Sequence, residues 1–140
     1  MREAVGGSIL FYIILGFLAV YIVFIGVIMN YAATYRASKS VLTKIEQTEA
    51  TTYVGTSGDS KTDNTLYGML RAQNYHNRLD VCCADLVTDG NVASIYKIRT
   101  YVNFEVPLLG VNLDLVIKND TKTIYGISCS DSKQYGYNNC

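Results

Sequence analysis

An unbroken absence of charge is the tightest constraint on this chain: residues 4 to 35, 32 in a row, contain no Asp, Glu, Lys or Arg. Inside that stretch Ile9 to Met29 reads ILFYIILGFLAVYIVFIGVIM, and 15 of its 21 residues are Ile, Leu, Phe or Val. Residues of that kind each favour insertion into a bilayer, together by about 5 to 9 kcal/mol. As a helix the run rises about 31 Å, enough to cross a hydrocarbon layer of ~30 Å. A removable secretory signal would need an apolar region of only about 7 to 15 residues, so the longer run reads as a retained anchor. Ala32-Ala33 is the nearest small-residue pair at which cleavage could occur instead.

Of the 24 charges, 22 fall between positions 36 and 140, and twelve basic residues balance twelve acidic ones. A neutral chain without a basic patch excludes nucleic acid as a partner. The organisation expected is a transmembrane helix over 1–35, an amphipathic continuation of it over 36–50, and a β-rich head over 51–140. Tyr31 to Glu49 contains neither Pro nor Gly. Its apolar positions Ala33, Ala37, Val41, Leu42 and Ile45 recur every three or four residues, which predicts a stripe that packs on the head. Arg36, Lys39, Lys44, Glu46 and Glu49 fall mostly off it. Tyr31 and Tyr35 suit the aromatic belt at the water boundary. Tyr12 and Tyr21 lie deeper and on opposite sides of the helix, where they fill space or face another helix.

Thr51 to Asn64 has the composition of an exposed loop. Asp63 or Asn64 can cap a short helix over Thr65 to Asn74, with Leu66, Met69, Leu70 and Gln73 on one side. Leu79 to Ala84 is a short strand ending near an Asp89-Gly90 turn. From Ala93 to Val106 the alternate residues Ser94, Tyr96, Ile98, Thr100, Val102, Phe104 and Val106 form a mostly apolar face, the clearest strand signal in the chain. Pro107 interrupts it, Val111 to Ile117 makes the next strand, Asn119-Asp120 suits a tight turn, and Lys122 to Ser128 makes a further strand. The fold class expected is α+β: a long amino-terminal helix on a small antiparallel meander, with Val41, Ile45, Phe104 and Pro107 packing the two together.

Four cysteines, Cys82, Cys83, Cys129 and Cys140, all lie in the head. An even number in a small domain beyond a membrane anchor predicts two disulfides and an oxidising compartment. Adjacent strand residues point to opposite faces, so one of Cys82 and Cys83 pairs with Cys129 and the other with Cys140; a vicinal Cys82-Cys83 bond is the alternative. Arg36, Lys39 and Lys44 would place the head inside by the positive-inside rule, but the cysteines outweigh them.

Catalytic chemistry is not indicated. There is no phosphate-binding loop, no HExxH and no GxSxG, and the lone His76 has no partner motif. Asp80, Asp85 and Asp89 are spaced like a solvated strand and turn; the alternative is a calcium site on which their oxygens converge. No catalytic residue, metal or cofactor is therefore assigned, and the chain reads as a non-enzyme. Asn119-Asp120-Thr121 is a formal glycosylation sequon in an expected turn.

A charged stub with Glu3 leads into the apolar helix, followed by YRASKSVLTKIEQ (Tyr35 to Gln47) and by TYVNFEVPLLGVNLDLVIKNDTKTI (Thr100 to Ile124). In this layout the chain resembles the TadE-type pseudopilin-like proteins of bacterial tight-adherence pilus systems, a branch of the type IV pilin superfamily. The resemblance implies a subunit held in the bacterial cytoplasmic membrane with its head outside. Such a subunit assembles through its apolar helix, here Glu3, Ile9, Phe11, Tyr12, Phe17, Tyr21 and Phe24, into a filament or its membrane platform. Partners would be membrane lipid before assembly, copies of itself or other pilin-like subunits, and indirectly an assembly platform and ATPase. One feature departs from the pattern: many pilins carry a basic leader ending in Gly with a Glu five residues later, whereas here Glu3 is third from Met1. The alternative reading is a single-pass anchored adhesion or ligand-binding module that does not polymerise.

Overall fold

A computed structural model of the chain describes residues 2–88, 90–106 and 110–140, with side chains described for 6–86, 90–105, 110 and 112–140. Helix α1 (Arg2–Gln47) runs 46 residues without a break, about 69 Å at 1.5 Å per residue. The absence of Pro, and the Ala, Lys, Glu and Gln content beyond Tyr31, carry it straight from the apolar run into the head. It ends two residues before Glu49. Glu49 and Ala50 take left-handed backbone angles, φ +49° and +58°, and the Ala50 N–H donates to the Ile45 carbonyl at 2.9 Å, closing the last turn.

The expected stripe is shifted at its start. Ala37, Val41 and Ile45 are buried and Leu42 packs beside them, but Ala33 is exposed. Thr34 and Ser38 are buried in its stead. Burial of these hydroxyls is tolerable because each has a partner: Thr34 donates to the Asn30 carbonyl at 2.9 Å, and Ser38 accepts from Asn119 Nδ2 at 2.6 Å. Small residues on this face also let the sheet approach closely.

Strands β1 (Leu79–Thr88), β2 (Asn91–Val106) and β3 (Val111–Asp120) form the antiparallel meander. Two short strands complete it, β4 (Ile124–Tyr125) on β2 and β5 (Asn138–Asn139) on β1, giving the order β3-β2-β1-β5. β5 pairs parallel, so the sheet is mixed and not purely antiparallel. The predicted face of β2 is the inner one: Ser94, Tyr96, Ile98, Thr100 and Val102 are all buried. Two local expectations fail. Asn119 and Asp120 are not a turn but the last pairs of β3, opposite Ile98 and Lys97, because the Asn119 amide is committed to α1. The strand expected over Lys122–Ser128 shrinks to β4. Thr121 occupies the break: its Oγ1 accepts the Tyr96 N–H and its own N–H donates to the Tyr96 carbonyl, both at 3.0 Å. Beyond it the register slips by one residue, from Lys97↔Asp120 to Ser94↔Ile124, a bulge.

Helix α2 (Leu66–Ala72) is capped by Thr65, whose hydroxyl accepts the Gly68 N–H at 2.9 Å, and not by Asp63 or Asn64. Asp63 is occupied in its own turn, accepting the Ser60 N–H at 2.8 Å. The segment before α2 is no simple linker. Thr52 and Val54 are buried, and the Val54 N–H donates to the Tyr135 carbonyl at 2.9 Å. Helix α3 (Cys129–Ser132) starts from a Ser128/Asp131 capping box. Its 3-10 extension, Lys133–Tyr135, leads to Tyr137, which stacks edge-on against Tyr96 at 4.9 Å. The core thus joins Val41 and Ile45 of α1 to Leu66, Leu70, Leu79, Ile98, Tyr96 and Tyr137.

Candidate anchoring and assembly surface

The two halves of α1 meet different surroundings. Ile9, Phe11, Tyr12, Phe17, Tyr21 and Phe24 are 56 to 74% exposed, and they lie all around the helix rather than on one face. A helix that is apolar on every side belongs in a protein core or in lipid, and among the described residues the head reaches this one only near its end, leaving none of the apolar window buried. It is long and apolar enough to cross a membrane. Tyr12 and Tyr21, nine residues apart, project from opposite sides, as their spacing requires. The backbone at Glu3 is helical, while its side chain lies outside the described residues. The later half is the reverse: Val41 and Ile45 are fully buried.

The remaining packing residues divide. Phe104 is half-buried and lies over Gly26, where an added Cβ would sit 3.7 Å from Phe104 Cζ. Pro107 lies outside the described residues. Nothing in the hydropathy pattern flagged the contact with Gly26, although a glycine near the end of an apolar run is the local signal for close approach. Polar ties between helix and head were equally hidden. Gln73 Nε2 donates to Ser40 Oγ at 2.7 Å, and the Lys122 N–H donates to Glu46 Oε1 at 2.9 Å.

The disulfides are Cys82–Cys140 and Cys83–Cys129, so each of the adjacent cysteines takes a different partner, as strand alternation demands. Cys83–Cys129 is buried on the inner face of β1, and Cys82–Cys140 ties the end of the chain to the outer face. Asp85 positions the first of these by accepting the Cys129 N–H at 2.8 Å. Cys83, Asp85 and Cys129 cluster closely enough to resemble a metal site, but both sulfurs are consumed in the disulfide and offer no thiolate.

Of the acidic residues weighed for calcium, the two described, Asp80 and Asp85, do not converge. Asp80 and Asp85 are five positions apart on β1, hence on opposite faces. Asp80 pairs with Arg78 at 2.7 Å, and this bond holds the Arg78 guanidinium above its ordinary pKa. Asp89 lies outside the described residues. A shallow cleft of about 500 Å³ runs along the β1–β5 edge past Arg78, Asp80, Arg99 and Cys140. Open and rimmed by solvated charges, it gathers no nucleophile with a base. Asn119 of the sequon is half-buried in β3, a poor acceptor position. Comparison with protein-family models, with curated proteins and with solved structures finds no match to this chain.

Proposed function

We propose that this chain is a structural, non-enzymatic subunit, a pilin or pseudopilin, of a type IV or Tad-like pilus or of its membrane assembly platform. The observation that carries the reading is the division of one unbroken helix into a bare apolar half and a half built into the head's core. Such a rod couples whatever holds its exposed half directly to the head, with no hinge between. In the bilayer, lipid covers the apolar half; in a filament, the same half of neighbouring subunits would replace lipid. Leaving lipid for water would forfeit about 5 to 9 kcal/mol, so extraction needs partner helices and an external motor. Two disulfides in a head of this size support an extracytoplasmic location, since such bonds persist in oxidising compartments.

Shearing cells and imaging the released material tests this reading. Filaments labelled by antibody to the head are the expected result. Recovery of the protein solely as a membrane-bound monomer, with ligand binding intact, would instead establish the anchored adhesion module.

A further inference from the structure

The head does not begin where the apolar run ends. Phe104 lies over Gly26, three residues before Met29. β2 runs antiparallel to α1. Asn119, the register partner of Ile98, meets Ser38, whereas Phe104, six residues along β2, meets Gly26, twelve residues earlier on the helix. Six strand residues (~20 Å) match twelve helical ones (~18 Å), so the alignment is straight. The strand pair continues to Val106↔Val111, about 7 Å further toward the helix amino terminus. With Ile9–Met29 filling the hydrocarbon layer, Gly26 and Phe104 stand about 5 Å inside its boundary.

The side chains at this end of the hairpin suit that depth. Leu113 pairs with Phe104 on the helix-facing side and is 41% exposed, with Leu115 half-buried next to it on the same face. The opposite face carries Asn103, Glu105, Asn112 and Asp114, all exposed. No base accompanies the two acids, so nothing here attracts anionic headgroups, and the acids resist deep burial. Sliding the helix outward by three residues, enough to lift only Phe104 and Leu113 to the boundary, would already put Gly6, Gly7 and Ser8 into lipid in exchange for Val27, Ile28 and Met29, an unfavourable trade.

We propose that the β2–β3 hairpin end is a lipid-contacting element: in the membrane-held protein Leu113, beside Phe104, lies at the acyl–headgroup boundary of the leaflet on the head's side. Glu105 and Asp114 lie on the face turned from the helix, and the cost of burying their carboxylates draws headgroups and water toward them, which limits the depth. Zwitterionic lipid suffices as the partner. This inference rests on α1 spanning the membrane but not on polymerisation.

The chain contains no tryptophan, so single-tryptophan variants report depth directly. Full-length L113W, F17W and V92W would be reconstituted in phosphatidylcholine vesicles containing lipids brominated near the carbonyl or near the methyl end of the chain. N112W, at an exposed position, serves should L113W fail to fold. Expected is quenching of L113W or N112W chiefly by carbonyl-end bromines, of F17W by methyl-end bromines, and of V92W by neither. If F17W is quenched while L113W and N112W behave like V92W, the inference is overturned and the anchor stands. Unquenched F17W would overturn both. Blue-shifted but unquenched L113W that changes with protein-to-lipid ratio would assign the hairpin to a second copy of the chain and likewise overturn lipid contact.

Discussion

At the scale of single residues, Gly68 reverses a usual rule. An Ala in place of Gly inside a helix ordinarily stabilises by about 0.5 to 1 kcal/mol. In α2, however, a Cβ at position 68 would collide with the Asp63 carbonyl and stand 2.8 Å from that of Ser60, both backbone atoms of the preceding turns. G68A is expected to lower the urea midpoint, and a raised midpoint would show that the turns yield freely. The buried tyrosines set the alkaline limit. Burial pushes the Tyr75 hydroxyl up to about 12 and raises those of Tyr67 and Tyr137 as well. An acid whose folded pKa is raised stabilises the fold fully below its unfolded value of about 10, and the contribution disappears as pH climbs through the folded value. Stability should therefore decline above about pH 10, and ultraviolet titration should show part of the tyrosine absorbance change delayed until unfolding.

At the scale of the element, α1 acts only if it is continuous. Ala33 tests continuity, because its side chain is exposed and borders an open cleft beside Gln73 and Asn77 rather than the core. Pro at 33 would remove the hydrogen bond to the Met29 carbonyl and clash with it, at about 3 kcal/mol or more. A33P is expected to keep both disulfides, seen as unchanged mass before and after thiol alkylation, yet to lose helical circular dichroism and release no filaments on shearing. A33L, equally exposed, should behave as the parent. Filaments of normal yield from A33P would show that the rod need not be rigid.

At the scale of the whole molecule, the two disulfides close loops of 46 and 58 residues. The chain-entropy account gives about 4 kcal/mol for each. A domain of this size is held by about 5 to 13 kcal/mol in all, so losing both bonds removes most of its margin. The bonds are not equivalent, however. Replacing Cys83 and Cys129 with Ser also places two hydroxyls in the core, while Cys82 and Cys140 sit at the surface. Denaturant titration of the two double variants should give the larger loss for C83S/C129S. Equal losses would mean that loop closure dominates and core polarity counts for little.

Much of this architecture was written in local pattern. An uncharged run is legible because transfer into an apolar medium adds residue by residue, and the inner face of β2 is legible because side chains alternate with period two. Cys82 and Cys83 announced separate partners for the same reason, yet which took Cys129 could not be read from spacing. That choice, the burial of Thr34 and Ser38 in place of Ala33, the persistence of β3 through Asn119 and Asp120, and the seat of Phe104 on Gly26 all depend on groups distant in the chain. An Asn in solution favours a turn; an Asn whose amide meets a serine on a helix 81 residues away favours the strand that delivers it. Such pairings exist only after the helix and sheet have met, since their energies belong to contacts and not to residues.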